Sequence, residues 1–226
     1  MDPLLSLILA CAVFVGSHFA MSHPLRASMV RGMGSNGFQG VYSLVSLAAF
    51  VWIYFAFKAV APIVPLWPGF DDVSWAVASV LTLVAMVLLA GSFAGNPALP
   101  APGAEAAARR EPTGVFRVTR HPMMWAIGLW ALAHLVAAPT SRTLVVASAM
   151  GLLALLGAHL QDRKKERLMG EAWAEWEART SYWPRLGVLL SVGWTWWLTG
   201  AVLWLAFSYA HIHAAGWAAG VWRWVG

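Results

Sequence analysis

The sequence predicts an all-α, polytopic membrane bundle of about six transmembrane helices, with one amphipathic helix at the cytoplasmic interface. Three observations predict it. Of 226 residues, 60% are hydrophobic and only 11% are charged, where a soluble domain carries about 25% charge. The apolar excess falls in six windows free of Asp, Glu, Lys and Arg, at 4–21, 38–57, 73–94, 122–138, 143–160 and 186–209. Each is close to the ~20 helical residues that cross a ~30 Å hydrocarbon core. The connections also alternate in charge. The first, third and fifth hold Arg26 and Arg31, then Arg109, Arg110, Arg117 and Arg120, then Arg163, Lys164, Lys165, Arg167, Arg179 and Arg185, which is 12 of the 15 basic residues. The other side holds Lys58, Arg142 and Arg223 beside Asp2, Asp71 and Asp72. Basic loops stay in the cytoplasm, so both termini face away from it, as an even number of spans requires.

The first window has the length of a secretory leader but follows Asp2 and Pro3 with no basic stretch, so it is expected to be a retained span. Cys11 inside it is the only cysteine. An intrachain disulfide and a multi-cysteine metal site are thereby excluded. Pro62, Pro65 and Pro68 break the second outer connection, where Trp67 and Trp75 fit an aromatic belt. Residues 95–103, with Asn96, Pro97, Pro100 and Pro102, cannot continue a helix and lead into the basic third loop. Over 161–180 the sequence turns strongly charged while Leu168, Ala172 and Trp176 keep helical spacing, which predicts an amphipathic helix on the membrane surface, or an extension of the fifth span. One membrane domain covers 1–209, and the Trp-rich residues 210–226 form an outer interfacial tail. The net charge of +5 follows from topology, and no nucleic-acid partner is expected.

Ionisable groups within a bilayer are costly and mark function first. His18 near the inner end of the first span, His121 at the start of the fourth and His159 at the end of the fifth share one depth. His134 lies thirteen residues beyond His121, about 20 Å deeper on the same helix. Neutral imidazoles on facing helices can hold a haem iron, so two of His18, His121 and His159 form a candidate pair. The competing reading is a histidine that only bonds a backbone carbonyl. Pro122 suits the first helical turn, which makes His121 the cap of its helix. That helix start offers free N–H groups beside Arg117 and Arg120, a place for a haem propionate, a substrate carboxylate or a lipid phosphate. Met86, Met123 and Met124 read as packing. His211 and His213 make a weak outer metal pair. No phosphate loop, serine triad or intramembrane carboxylate pair is present.

Around Arg120-His121-Pro122 the chain resembles the NnrU family of bacterial membrane proteins. The carriers are Gly16-Ser17-His18, Asn96-Pro97, the stretch 114–125, Leu132-Ala133-His134, Gly157-Ala158-His159 and Asp162-Arg163-Lys164. The likeness covers about residues 1–190. It implies a bacterial membrane protein linked to nitrite and nitric oxide reduction, in the inner membrane with the periplasmic termini that the loop charges predict, and kinship with cis-zeta-carotene isomerase, a haem b enzyme. Carried over, that kinship names His18 and His121 as haem-iron ligands and catalytic residues, with His159 and His134 next, and a lipophilic polyene as substrate, while the anion site at the start of the fourth span makes Arg117 and Arg120 further cofactor-binding candidates. A second likeness is to isoprenylcysteine and phospholipid methyltransferases. It rests on residues 114–125, Glu166 to Trp173 and Pro184, and implies that Glu166, Glu171 and His121 hold S-adenosylmethionine. The adjacent glutamate pair of that pattern is missing, since 165–167 read Lys165, Glu166, Arg167. A third reading is a non-enzymatic assembly factor for the nitric oxide reductase machinery.

Overall fold

The protein is described by a computed structural model that covers residues 1–61 and 65–225. Pro62 of the proline-broken connection and the final residue of the tail lie outside those residues. Among the described residues all regular structure is helical. The helices are α1 (Pro3–Ser22), α2 (Arg26–Ala59), α3 (Asp72–Gly91), α4 (Ala104–Ala108), α5 (Pro122–Ala137), α6 (Ser141–Met169), α7 (Glu171–Arg179), α8 (Trp194–Ala215) and α9 (Trp222–Val225), with 3-10 turns at Gly114–Arg117 and Leu186–Ser191. By length and composition α1, α2, α3 and α6 can each cross a membrane. With the shorter apolar α5 beside them, they make this a multi-pass helical membrane protein.

Local signals account for the helix ends. Asp2 accepts the Leu5 amide at 2.9 Å and Pro3 opens α1, where a missing N–H costs nothing. Asp71 accepts both the amide and the hydroxyl of Ser74, at 2.9 and 2.8 Å, so it caps α3. Asp72 follows in the first turn, where a carboxylate suits the positive end of the helix.

Several bounds differ from the apolar windows. Helix α2 starts twelve residues before its window and bends at Gly34, whose φ of 73° breaks the helical path. The window at 186–209 begins as a 3-10 turn, and α8 starts only at Trp194, after Gly193 at φ 107°. Helix α8 then runs through His211 and His213 to Ala215, so the first six residues of the expected tail belong to this helix.

The amphipathic helix expected over 161–180 is divided. Residues 161–169 extend α6, Gly170 (φ 51°) ends it, and α7 is separate. The apolar face of α7 is buried in protein: Trp173 and Trp176 pack with Phe116, Val118 and Leu88. Trp75, expected in an aromatic belt, is buried beneath the Arg223 guanidinium, 4.9 Å from its ring, while Trp67 is exposed.

The six long helices neighbour one another in the order α2, α1, α6, α5, α3, α8. One apolar core joins α1, α2 and α6 through Leu7, Cys11, Phe14 and Ile53. A second joins the C-terminal end of α3 and the N-terminal end of α5 to α4, α7 and the two 3-10 turns. The outward faces stay apolar, with Leu44 68% and Phe55 65% exposed, which only a lipid surround makes inexpensive.

Helices α3 and α8 cross very closely at Gly200. A Cβ there would stand 2.6–2.7 Å from Val87 atoms, two of them backbone. Gly200→Leu is therefore expected to destabilise by about 1–3 kcal/mol through overpacking. The measurement is the melting temperature in detergent, and an unchanged value contradicts this crossing.

Candidate functional site

The segment before α5 is fastened to the one after α7. The Arg120 amide donates to the Ser181 carbonyl at 2.8 Å, and the Arg185 amide to the Val118 carbonyl at 2.9 Å. The Thr119 hydroxyl donates to the Tyr182 carbonyl at 2.8 Å and accepts the His121 amide at 3.2 Å. His121 is the cap residue of α5, with Pro122 in the first turn, as its sequence requires.

Asp162 lies two residues past Leu160, where the apolar stretch of α6 ends, and is 4% exposed. Arg120 grips it through Nε, at 3.1 and 3.0 Å from the two oxygens, and through a terminal nitrogen at 2.7 Å. His121 is 2% exposed, and its Nε2 donates to the other side of the carboxylate at 2.7 Å. Glu177 of α7 reaches Arg120 at 3.1 Å. Tyr182 covers the group, 5.5 Å from the guanidinium and 5.5 Å ring to ring from His121. Four side chains, Arg120, His121, Glu177 and Tyr182, thus gather around one carboxylate.

Burial alone would raise the Asp162 carboxyl, but the hydrogen bonds from His121 and Arg120, together with their charges, hold it below the ordinary range. Glu177 is shifted the other way, by burial first and then by the Asp162 charge. The same two causes raise the Tyr182 hydroxyl. Asp162 is thus the fixed anion of the cluster.

Two cavities flank the clamp. The buried Nδ1 of His121 has no partner and the ring lines a void of about 20 Å³ beside Asn96, Gln161 and Met124, room for about one water molecule. On the other side a cavity of about 410 Å³ is lined by Arg120, His159, Asp162, Glu177, Tyr182 and Trp183. An imidazole bonded to a carboxylate is held in one orientation and tautomer, as ligating and proton-handling histidines are.

The other expected site residues lie apart. His159 is exposed and lines the larger cavity with Arg120 and Asp162, whereas His121 lines the smaller void. His18 faces α2 instead: its Nδ1 donates to the Phe14 carbonyl at 2.7 Å, its Nε2 is 3.4 Å from the Ser46 hydroxyl, and its ring is 5.2 Å from that of Tyr42. Helix α6 packs against both α1 and α5, which carry His18 and His121. His134 donates through Nδ1 to the Trp130 carbonyl at 2.8 Å and lies near the far end of α5, 6.3 Å ring to ring from His211. His213 turns to Tyr209 instead of pairing with His211. Arg117 is outside the clamp and donates to the Ser191 carbonyl at 3.2 Å. Among the described residues no three His, Cys, Asp or Glu side chains group to hold a metal ion.

Sequence reading missed the central roles of Asp162, Glu177 and Tyr182. The available signal was Asp162 itself, an acid three residues after His159 on the same helix face, at the depth of an Arg-His pair in need of a counter-charge.

Fold and site define a multi-pass helical membrane protein with a buried Arg, His and Asp clamp at the basic end of its bundle. The NnrU protein family matches residues 6–219, and the chain belongs to that family. It is also similar to the 15-cis-zeta-carotene isomerase of Zea mays chloroplasts, at 37% identity over 79 residues, 34% of this chain and 21% of that one. The chain thus spans about a fifth of that relative's length. No solved structure matches.

Proposed function

We propose that the protein is a haem b-dependent cis-trans isomerase of a lipophilic polyene, in a bacterial inner membrane with its basic end cytoplasmic and its termini periplasmic. The observation that carries the haem assignment is His18. Its Nδ1 is committed to a backbone carbonyl, the arrangement that directs the Nε2 lone pair to a metal, and Nε2 itself has only a long contact to Ser46. That donor chemistry fits haem iron. At His121 the free nitrogen is the buried Nδ1, and the adjoining void of about 20 Å³ is too small for a porphyrin. Ligation by His121 therefore needs Met123 and Met124 to move, while Asp162 keeps the ring oriented. His159 and His134 are the further candidates for a second ligand.

Bound haem would supply an iron able to shift the electrons of a conjugated chain with no net redox change. The protein's part is to hold its imidazoles, keep water out of the apolar bundle and orient the polyene along it. The supporting relative is a cis-carotene isomerase by name. The test is turnover: membranes containing the protein, given a 15-cis polyene, should raise the all-trans fraction, and His18→Ala membranes should not. Haem binding without turnover would favour the assembly-factor reading, with nitric oxide reductase as the partner.

The larger cavity favours a second reading, a membrane methyltransferase. Glu166 and Glu177 line it beside the rings of Tyr182 and Trp183, a setting for a cationic, ring-bearing cofactor. S-adenosylmethionine binding by purified protein, lost in Glu177→Gln, would support it.

A further inference from the structure

The first half of α1 packs on the first half of α6, so the turn that follows α1 and the charged end of α6 lie at the same end of the bundle, with His23, Arg26, Lys164, Lys165 and Arg167. Lys165 is 7% exposed and donates to the Pro97 carbonyl at 2.8 Å. Burial, then the charges of Lys164 and Arg26, push its ammonium down to about 8. Burial and the Arg26 charge lower Lys164 as well. His23, just past the end of α1, is held down by burial and by the charges of Lys164 and Arg167. The Arg26 guanidinium lies 5.7 Å from the centre of the Phe38 ring.

These charges act on one another without a counter-ion. Among the described residues every carboxylate ion pair lies elsewhere, on Arg109, Arg120, His121, Arg163, Arg179 and Arg223. The nearest acids in sequence are engaged, Asp162 by Arg120 and Glu166 by Arg163. Half-buried like charges on separate segments repel, so an anion between them relieves both the repulsion and the lost hydration. Lys164 stands four residues past Leu160, about 6 Å along the helix from the end of the apolar stretch. Leu25, Met33 and Leu168, close in sequence to the patch, are exposed and apolar.

We propose that this patch binds the phosphate of an anionic membrane phospholipid, with the acyl chains against those apolar side chains. Placement at the membrane boundary selects a lipid headgroup as the source of the phosphate. The site is separate from the Asp162 clamp and does not depend on the haem reading.

The test uses the full chain in mixed micelles with phosphatidylglycerol or phosphatidylcholine of matched acyl chains, and inorganic phosphate as a soluble competitor. Phosphatidylglycerol should bind on the order of ten-fold tighter, as two or more basic groups near one anionic headgroup provide. The preference should fall to about two-fold or less when Arg26→Gln and Lys164→Gln are combined, and persist in Arg110→Gln, which removes an exposed charge elsewhere. Melting temperature reports whether the double variant is folded, and Lys164→Gln alone, if the double variant is not, should still reduce the preference. Equal binding of the two lipids, or an unchanged preference in the folded variant, overturns the proposal. Displacement of phosphatidylglycerol by inorganic phosphate would overturn the lipid assignment.

Discussion

Asp162→Ala is expected to cost about 3–5 kcal/mol of stability, the usual effect of removing one partner from a buried charged group. Arg120 would keep only Glu177 as an ion-pair partner, and the His121 ring would lose its sole hydrogen-bond partner. The loss should appear as a large drop in melting temperature in detergent and in the yield of extracted protein. Asp162→Asn keeps the shape and one acceptor, so it should fall between wild type and alanine. The pH dependence follows from the lowered carboxyl. A depressed acid stabilises the fold above its unfolded value of 3.8, and that contribution disappears as pH falls below 3.8. Wild-type protein should therefore lose stability on that acid limb, and Asp162→Asn should lose less. Equal melting temperatures for wild type and alanine variant would mean that the clamp does not hold the basic end of the bundle together.

His18→Ala should abolish haem binding while leaving the fold intact. The ring contacts Phe14, Tyr42 and Ser46 at the α1 and α2 interface but bonds no buried charge, so its removal costs far less than loss of Asp162. Purified His18→Ala should lack a Soret band and regain it when imidazole is supplied, because the truncation leaves space for the free ligand. Among His121, His134 and His159, a second ligand would be the residue whose replacement changes the coordination state of bound haem without removing it. His121 and His134 cannot serve together, since thirteen residues of one helix separate them by about 20 Å. Retention of the full Soret band in His18→Ala would remove this residue from the iron.

Much of the bundle was legible because apolar content sets which segments enter a membrane. The windows found α1, α3, α5 and the membrane part of α6 to within a few residues. They failed where backbone geometry decides. Positive φ at Gly193 delays α8, positive φ at Gly170 separates α7, and Gly34 lets a polar lead-in join α2 across a bend. None of these alters hydropathy. The burial of Trp173 and Trp176 was hidden for a related reason: an amphipathic pattern shows that a face is apolar, not whether lipid or protein covers it.

At the site, the importance of Arg120-His121-Pro122 could be read from the cap position of His121 and the charge beside it. Its partner could not, because Asp162 is 41 residues away and the pairing depends on how α5 meets α6. Rotation about the helix axis could not be read for His18 or His121. That rotation turns His18 toward Ser46 and Tyr42 on α2 and His121 toward Asp162 on α6.

The most direct test of the haem reading is the visible spectrum of the purified wild-type protein, expressed with an ample supply of haem. The account predicts a Soret band at near one haem per chain that shifts on reduction. A protein that is folded by its melting curve yet shows no Soret band would contradict it.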